Sequence, residues 1–203
     1  DVFVISAGSA RGGCSTIEGG SGDDVVRFTA TSADTLTLSD DVTDVNDLIT
    51  VEASDESGLN TGTANLDINA TALGQDLDVV MSGNFGDNTL IGNDNANNTI
   101  TGLSGDDSIV GGGQADSLVG GLGNDVLRGL DGTDQMFGDG GDDTLEGGAG
   151  LDTILGGSGS DVFVISAGTH HGDGETIQGG SGDDVIRFTA TSADTLTLSD
   201  DVT

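Results

Sequence analysis

The chain has 203 residues and a formal net charge of −32, from 36 acidic residues against four arginines and no lysine. Such a charge argues against nucleic acid or an anionic membrane surface as a direct partner. The chain has 37 glycines and no proline, tryptophan or tyrosine, and no stretch of it is apolar enough to be a transmembrane segment.

The two ends of the chain are near copies of each other. Residues 1–43 and 161–203 are offset by 160 residues and are identical at 35 of 43 positions. We therefore expect the chain to be a piece of a longer tandem array. Residues 1–28 would be the end of a preceding repeat block, copied as 161–188, and residues 189–203 would begin the next spacer.

Residues 29–82 form a spacer without the glycine motif of the segments around it. Apolar residues alternate with polar ones in four runs, which is typical of half-buried strands. The inward positions are expected to correspond in the order Leu38, Val51, Ile68, Val79 and then Leu90. These intervals favour wider, irregular coils of a parallel β-solenoid over a separate small β-domain, and no segment has helical periodicity.

Residues 83–164 repeat a nine-residue unit, Gly-Gly-x-Gly-x-Asp-x-(apolar)-x, with one unit of ten residues. The units begin at Gly83, Gly92, Gly102, Gly111, Gly120, Gly129, Gly138, Gly147 and Gly156. The sixth place is Asn88 and Asn98 in the first two units and aspartate in all the others. The eighth place is always apolar: Leu90, Ile100, Ile109, Leu118, Leu127, Met136, Leu145, Ile154 and Phe163.

The unit has the chemistry of a calcium site. Glycines permit positive φ and a tight turn, and calcium prefers carboxylate and carbonyl oxygens. A short strand such as Val126–Arg128 would follow each turn, so two units make one coil and alternate units stack. The predicted columns are Asp107/Asp125/Asp143/Asp161 and Asp116/Asp134/Asp152, with an ion between successive loops of a column.

The predicted side-chain ligands occupy the sixth place of each unit in both copies. They are Asp1, Asp24, Asp107, Asp116, Asp125, Asp134, Asp143, Asp152, Asp161 and Asp184, with Asn88 and Asn98 as neutral oxygens in weaker sites. Adjacent acids, as in the Asp106-Asp107 pair, suggest a ligand plus a neighbouring acid better than paired catalytic carboxylates. The block has 14 acidic residues and one basic residue, Arg128, so we expect it to need calcium to fold.

After Asp161 the units are interrupted. Residues 165–188 comprise a short insert, a degenerate unit at 170–178 and a good nonamer starting at Gly179. If the degenerate unit forms one rung, Asp184 stacks under Asp161, and Asp24 stacks likewise under Asp1.

The nonapeptide pattern resembles the RTX (repeats-in-toxin) calcium-binding β-roll. The resemblance implies an all-β, right-handed parallel β-roll holding several Ca²⁺ ions, with loop carbonyls completing each site. The carbonyls so implied belong to Gly112, Gly121, Gly123, Gly132, Gly141, Gly148, Gly150, Gly157, Gly159, Gly180 and Gly182. It also implies a bacterial protein exported by a type I system to the cell surface or the extracellular space, where free calcium is plentiful.

No other motif suggests chemistry. His170 and His171 could bind a transition metal, but the first copy has Ala10 and Arg11 there, so a solvated variable loop is the better interpretation. Cys14 has no partner for an intrachain disulfide and no histidine nearby to activate it. We therefore expect no enzymatic activity.

Three functions remain open from the sequence. The leading hypothesis is a calcium-rigidified structural module of a long fibre, surface layer or giant adhesin, in contact with neighbouring copies of the repeat, with a head-to-tail homopolymer as one form of that contact. The alternative is the calcium-dependent C-terminal β-roll of a type I-secreted enzyme or toxin. A third is ligand binding through the spacer or the variable loop at 9–15 and 169–175.

Overall fold

The computed structural model describes residues 2–6, 17–20, 24–29, 34–39, 42–44, 48–54, 61–73, 77–166 and 175–189. Every regular element within these residues is a β-strand. The strands are β1 Val2–Ser6, β2 Ile17–Gly20, β3 Asp24–Thr29, β4 Asp34–Ser39, β5 Val42–Asp44, β6 Leu48–Ser54, β7 Leu66–Ala72, β8 Asp78–Ser82, β9 Thr89–Ile91, β10 Asn98–Ser104, β11 Ser108–Gly112, β12 Ser117–Leu122, β13 Val126–Asp131, β14 Gln135–Gly140, β15 Thr144–Ala149, β16 Thr153–Ser158, β17 Val162–Ser166, β18 Thr176–Ser181 and β19 Val185–Thr189.

From β3 onwards, with the exception of β5, successive strands alternate between two parallel sheets. The nine-stranded sheet has the order β1-β3-β6-β8-β10-β12-β14-β16-β18, and the eight-stranded sheet has the order β19-β17-β15-β13-β11-β9-β7-β4. Strands β2 and β5 form a separate parallel pair. One strand from each large sheet makes a coil, so the chain is a parallel β-solenoid, and the fold class predicted from the sequence is confirmed.

The eighth-place residues form the core of the nonamer part. From Ile100 to Leu145 each stacks on the residue 18 positions further along the chain, as Ile109 does on Leu127 and Leu118 does on Met136. The spacing is 19 residues for Leu90 and 23 for Ile154 and Phe163. All of those from Leu90 to Phe163 are buried. The strands are longer than expected: β13 extends beyond Arg128 to Asp131, because the first three places of the next unit also pair in register with the neighbouring coils.

The spacer continues the same two sheets. Strand β7 pairs with β9, and β8 pairs with β10. In the two sheets Ile68 pairs with Leu90, and Val51 pairs with Met81. Side chains alternate with a period of two, and both Val79 and Met81 point inward. The alternation of apolar residues therefore predicts which side chains face inward. It cannot distinguish two strand registers that differ by two residues.

The second copy is built onto the end of the nonamer part. Strand β18 pairs with β16 and β19 pairs with β17, so residues 176–178 of the degenerate unit lie in a rung of the solenoid. The first-copy strands β1 and β3 lie in the nine-stranded sheet, whereas their sequence equivalents β17 and β19 lie in the eight-stranded one. Equivalent residues of the two copies therefore occupy opposite faces of the solenoid.

Candidate metal-binding columns

The sixth-place aspartates stack in the two columns expected from the sequence. Each accepts, through Oδ1, the backbone N–H of the sixth-place residue one coil earlier. In the first column Asp107 N–H donates to Asp125 Oδ1 at 2.7 Å, and Asp125 N–H donates to Asp143 Oδ1 at 2.8 Å. In the second column Asp116 N–H donates to Asp134 Oδ1 at 2.8 Å. All of the sixth-place aspartates from Asp107 to Asp161 are at most 3% exposed.

The second carboxylate oxygen of these side chains has no hydrogen-bond partner although it is buried. This holds for the Oδ2 atoms of Asp107, Asp116, Asp125, Asp134, Asp143 and Asp161. A buried carboxylate oxygen without a donor is costly, because the lost hydration is not replaced. The same atom thus lacks a donor in each of these six side chains, and a cation at that position would satisfy it.

The first-place glycines shape the space around these oxygens. A Cβ added at Gly138 would lie 2.3 Å from Asp143 Oδ2 and 2.6 Å from the carbonyl oxygen of Gly156, which is the first-place glycine of the next coil. The same pair of contacts recurs at Gly102 and Gly129. Between successive loops there is thus a cradle lined by a carboxylate oxygen and a carbonyl oxygen, and it exists because the first place has no side chain.

Burial makes the aspartates resist ionisation in the absence of a cation. It raises the pKa of the sixth-place carboxyls to about 8 for Asp107, about 7 for Asp134 and Asp143, and about 6 for Asp116 and Asp125, and it also raises that of Asp161. The backbone N–H donated to each carboxylate lowers the pKa in part, and neighbouring carboxylates raise it further. A divalent cation between the loops would stabilise the ionised form.

The fifth-place side chains, which are three aspartates and Asn124, form a second series of hydrogen bonds between coils. This series was not foreseen from the sequence. Asp106 N–H donates to Asp87 Oδ1 at 2.9 Å, Asn124 N–H to Asp106 Oδ1 at 2.8 Å, and Asp142 N–H to Asn124 Oδ1 at 2.8 Å. These side chains are exposed, and they accept from the following coil, whereas the sixth-place side chains accept from the preceding one. The acid beside each ligand in this column is a connector between loops.

Of the remaining predicted site residues, some lie outside the described residues and one, Asp184, continues a column. The side chains of Asp1 and Asp24 lie outside the described residues, as do His170, His171 and Cys14. Asp184 stacks on Asp161, whose N–H donates to Asp184 Oδ1 at 3.0 Å.

The glycines whose carbonyls were expected to be ligands lie in the loops as anticipated. In the loop that begins at Gly120, Gly121 has a φ of 117° and Gly123 a φ of 130°. Positive φ at these second and fourth places turns the loop sharply. Sequence reasoning missed the carbonyls of the first-place glycines as candidate ligands, although the signal was present: glycine occupies the first place of every unit.

The donors available in the columns are the ones that calcium prefers. They are carboxylate and carbonyl oxygens, without the thiolate or imidazole ligands that are typical of structural zinc. In the part of the chain that the structure describes, no three acidic, histidine or cysteine side chains converge into one cluster. Each gap between two loops would therefore depend on backbone carbonyls as much as on side chains.

A parallel solenoid with an oxygen-lined gap between successive glycine loops is the architecture of a calcium-binding repeat protein. The family model of the RTX calcium-binding nonapeptide repeat matches residues 13–28, 94–127, 128–163 and 172–187. These segments make up just over half of the chain, which belongs to this family of multiple calcium-binding repeats. No curated protein and no solved structure matches the chain. Among the described residues, no helix is long and apolar enough to cross a membrane.

Proposed function

We propose that calcium is held between successive loops of each column by the sixth-place carboxylates and by loop carbonyls. The support is the unpartnered Oδ2 atom of the aspartates and its contact with the first-place glycines. The carbonyls of the second- and fourth-place glycines, such as Gly121 and Gly123, complete the proposed ligand set. In this arrangement an aspartate in mid-column serves the ions on both sides of its loop.

Two alanine substitutions in strand β14 test this ligand set. Gly138→Ala would place a methyl group 2.3 Å from Asp143 Oδ2, whereas Gly140→Ala would meet its nearest atom, Leu122 Cδ2, at 3.4 Å. Neither glycine has positive φ. We expect Gly138→Ala to need a much higher calcium concentration for folding, and Gly140→Ala to titrate like the parent. Equal calcium midpoints for the two variants would contradict the proposed position of the ion.

We further propose that the chain is a module of a long, calcium-rigidified extracellular structure of a bacterium, such as a fibre, surface layer or giant adhesin, exported by a type I system. The observation that carries this proposal is the position of the second copy. Its strands β18 and β19 extend the two sheets of the first period directly. A tandem protein built in this way gains length by adding coils, since each repeat is stabilised mainly by its neighbours.

Electron microscopy of a chain with two and with four consecutive periods tests the rod. A period corresponds to about seven and a half coils of the two sheets, which at roughly 4.8 Å per coil is ~36 Å. In calcium, we expect straight rods whose length doubles between the two chains. Compact particles or flexibly linked beads would contradict a continuous rod, and a gene with one upstream catalytic domain and no further copies would favour an enzyme tail.

Separate chains would also associate head to tail, because the terminal coils present the edges of both sheets. Strands β18 and β19 pair with an earlier strand on one side only among the described residues, and Val185 of β19 is 51% exposed. An edge of this kind pairs readily with another chain. Sedimentation in calcium should show association that increases with concentration, and monomers at all concentrations would exclude it.

A further inference from the structure

The first two loops of the nonamer block differ in backbone conformation from those that follow. Loops beginning at Gly102, Gly120, Gly129, Gly138, Gly147, Gly156 and Gly179 have positive φ at both the second and the fourth place. The loops beginning at Gly83 and Gly92 have it at neither place. Their second places are Asn84 and Asn93, and their sixth places are Asn88 and Asn98. The loop beginning at Gly111 has positive φ at its second place, Gly112, but not at its fourth. The first two loops therefore match the sequence period without adopting the turn of most other loops.

The amide of Asn98 bridges to the next coil with its nitrogen. Asn98 Nδ2 donates to Asp116 Oδ1 at 2.8 Å and lies 3.4 Å from the acceptor carbonyl oxygen of Gly111, the first-place glycine of that coil. It also donates to the carbonyls of Asn93 and Ala96, both at 3.0 Å. These are carboxylate and carbonyl oxygens of the kind that surround the gaps elsewhere. Asn98 thus presents a donor, not the ligand oxygen expected from its sequence position.

Two of the other three asparagines, Asn84 and Asn93, tie this end of the columns to the spacer. Asn84 Nδ2 donates to the Ala64 carbonyl at 2.9 Å, and Asn93 Nδ2 donates to the Leu77 carbonyl at 3.1 Å. Within the loops, Asn84 N–H donates to Asn88 Oδ1 at 2.8 Å, and Asn93 N–H donates to Asn98 Oδ1 at 2.9 Å. All four side chains are at most 2% exposed, and their network is neutral.

We propose that Asn84, Asn88, Asn93 and Asn98 form a metal-independent amide cap that closes the N-terminal end of both calcium columns. The cap lets the coils of residues 61–102 fold without calcium and gives the first calcium-dependent coil a preformed surface on which to pair. This inference rests on the proposed calcium-dependent folding of the columns. It assigns to the asparagines a role in starting the roll, in place of weak calcium binding.

The packing on the spacer side of the cap supports independent folding. Strand β7 buries Leu66, Ile68 and Ala70, and strand β8 buries Val79 and Met81. A nonamer strand such as β13 buries a single large apolar side chain, Leu127. The spacer coils thus remove more apolar surface from water per strand, and the buried polar groups beneath them are amides with hydrogen-bond partners.

Amide hydrogen exchange of the whole 203-residue chain in EDTA at pH 7 tests the cap. The N–H groups of Asn84 and Asn93 donate to the side chains of Asn88 and Asn98 within the cap, whereas those of Asp107, Asp125 and Asp134 bond within the columns. We expect the first group to exchange at least about tenfold more slowly than the second. Equally fast exchange in both groups, with folding on addition of calcium, would overturn the cap alone. Equal protection of both in EDTA would overturn the calcium-dependent folding as well.

A pair of isosteric variants isolates the Asn98 amide. Asn98→Asp replaces the donor facing Asp116 Oδ1 and the Gly111 carbonyl with an acceptor, so we expect the Asn93 N–H to lose its protection in EDTA and to regain it in calcium. The variant should also bind one calcium ion more per chain than the parent. Asn97→Asp adds the same charge on an exposed side chain and should behave like the parent. Protection of Asn93 in EDTA that survives Asn98→Asp would overturn the role of this amide.

Discussion

The coils before and after Gly102 share two continuous sheets but fill their interiors differently. In the described coils from residue 61 to Gly102 the interior is apolar, and the buried polar side chains are asparagines whose amides are hydrogen-bonded to the chain. After Gly102, Asp107, Asp125 and Asp143 are buried with one carboxylate oxygen bonded and the other without a donor. The polar groups of the first arrangement are satisfied within the chain, whereas the second leaves buried oxygens that a cation would satisfy. Under the proposed function, calcium dependence is therefore expected of part of the solenoid and not of the β-roll backbone as such.

Calcium removal should have the largest effect of the changes considered, and it should unfold one region while leaving the other folded. In EDTA at pH 7 we expect circular dichroism to lose most of the β signal, because unneutralised carboxylates are then buried in both columns. The signal that remains should correspond to the coils of residues 61–102. Millimolar calcium should restore the full spectrum, and magnesium should restore it poorly, since magnesium requires near-octahedral geometry and dehydrates reluctantly. An unchanged spectrum in EDTA would contradict the calcium-dependent folding of the coils after Gly102.

Acidification should partly replace calcium in the columns. The pKa of Asp107 is about 8 in the folded chain and those of Asp134 and Asp143 are about 7, against an ordinary value of 3.8. Because the folded pKa values are raised, the calcium-free fold binds more protons than the unfolded chain between these limits. Its stability is therefore greatest below about pH 4 and falls as the pH rises towards 8.

A pH titration in EDTA measures this effect. We expect the β signal to increase from pH 8 to pH 4.5 in the calcium-free chain. In saturating calcium the dependence should have the opposite sign, since protons compete with calcium for the carboxylates. The coils of residues 61–102 should change little, because the capping side chains there are asparagine amides, which do not titrate. A calcium-free chain that unfolds further on acidification would contradict the raised pKa values.

The columns were predictable from the sequence because a strict nine-residue period fixes both the stacking and the face of each side chain. The period places Asp107 over Asp125 and Ile109 over Leu127 whatever the details of the loop. The spacer register was not predictable to the residue, since Val79 and Met81 are equally apolar and both face inward. The orientation of the Asn98 amide was also hidden, because an asparagine offers an oxygen and a nitrogen and only its surroundings decide which one faces the gap.

Substitution by glycine at the second place of a loop should change the stability of the folded chain in opposite directions in the two regions. These changes should be smaller than the effects of calcium removal and pH. Leu130 lies after Gly102, is 43% exposed and has a φ of 82°, a conformation that costs an L-residue roughly 1–2 kcal/mol. Leu130→Gly removes this strain. The greater freedom of glycine in the unfolded chain lowers the resulting gain in stability by about 0.5–1 kcal/mol. Asn93 occupies the same place before Gly102 without positive φ, and its amide bonds the Leu77 carbonyl.

Asn93→Gly should therefore lose hydrogen bonds without relieving strain, which lowers stability by roughly 1–3 kcal/mol. Denaturant midpoints in saturating calcium should rise slightly for Leu130→Gly and fall for Asn93→Gly. As a control, Leu122→Gly alters a more exposed leucine at a third place without positive φ, and it should not raise the midpoint. A shift of both denaturant midpoints in the same direction would contradict the prediction. It would mean that the positive φ of Leu130 and the hydrogen bonds of Asn93 do not affect stability differently on the two sides of Gly102.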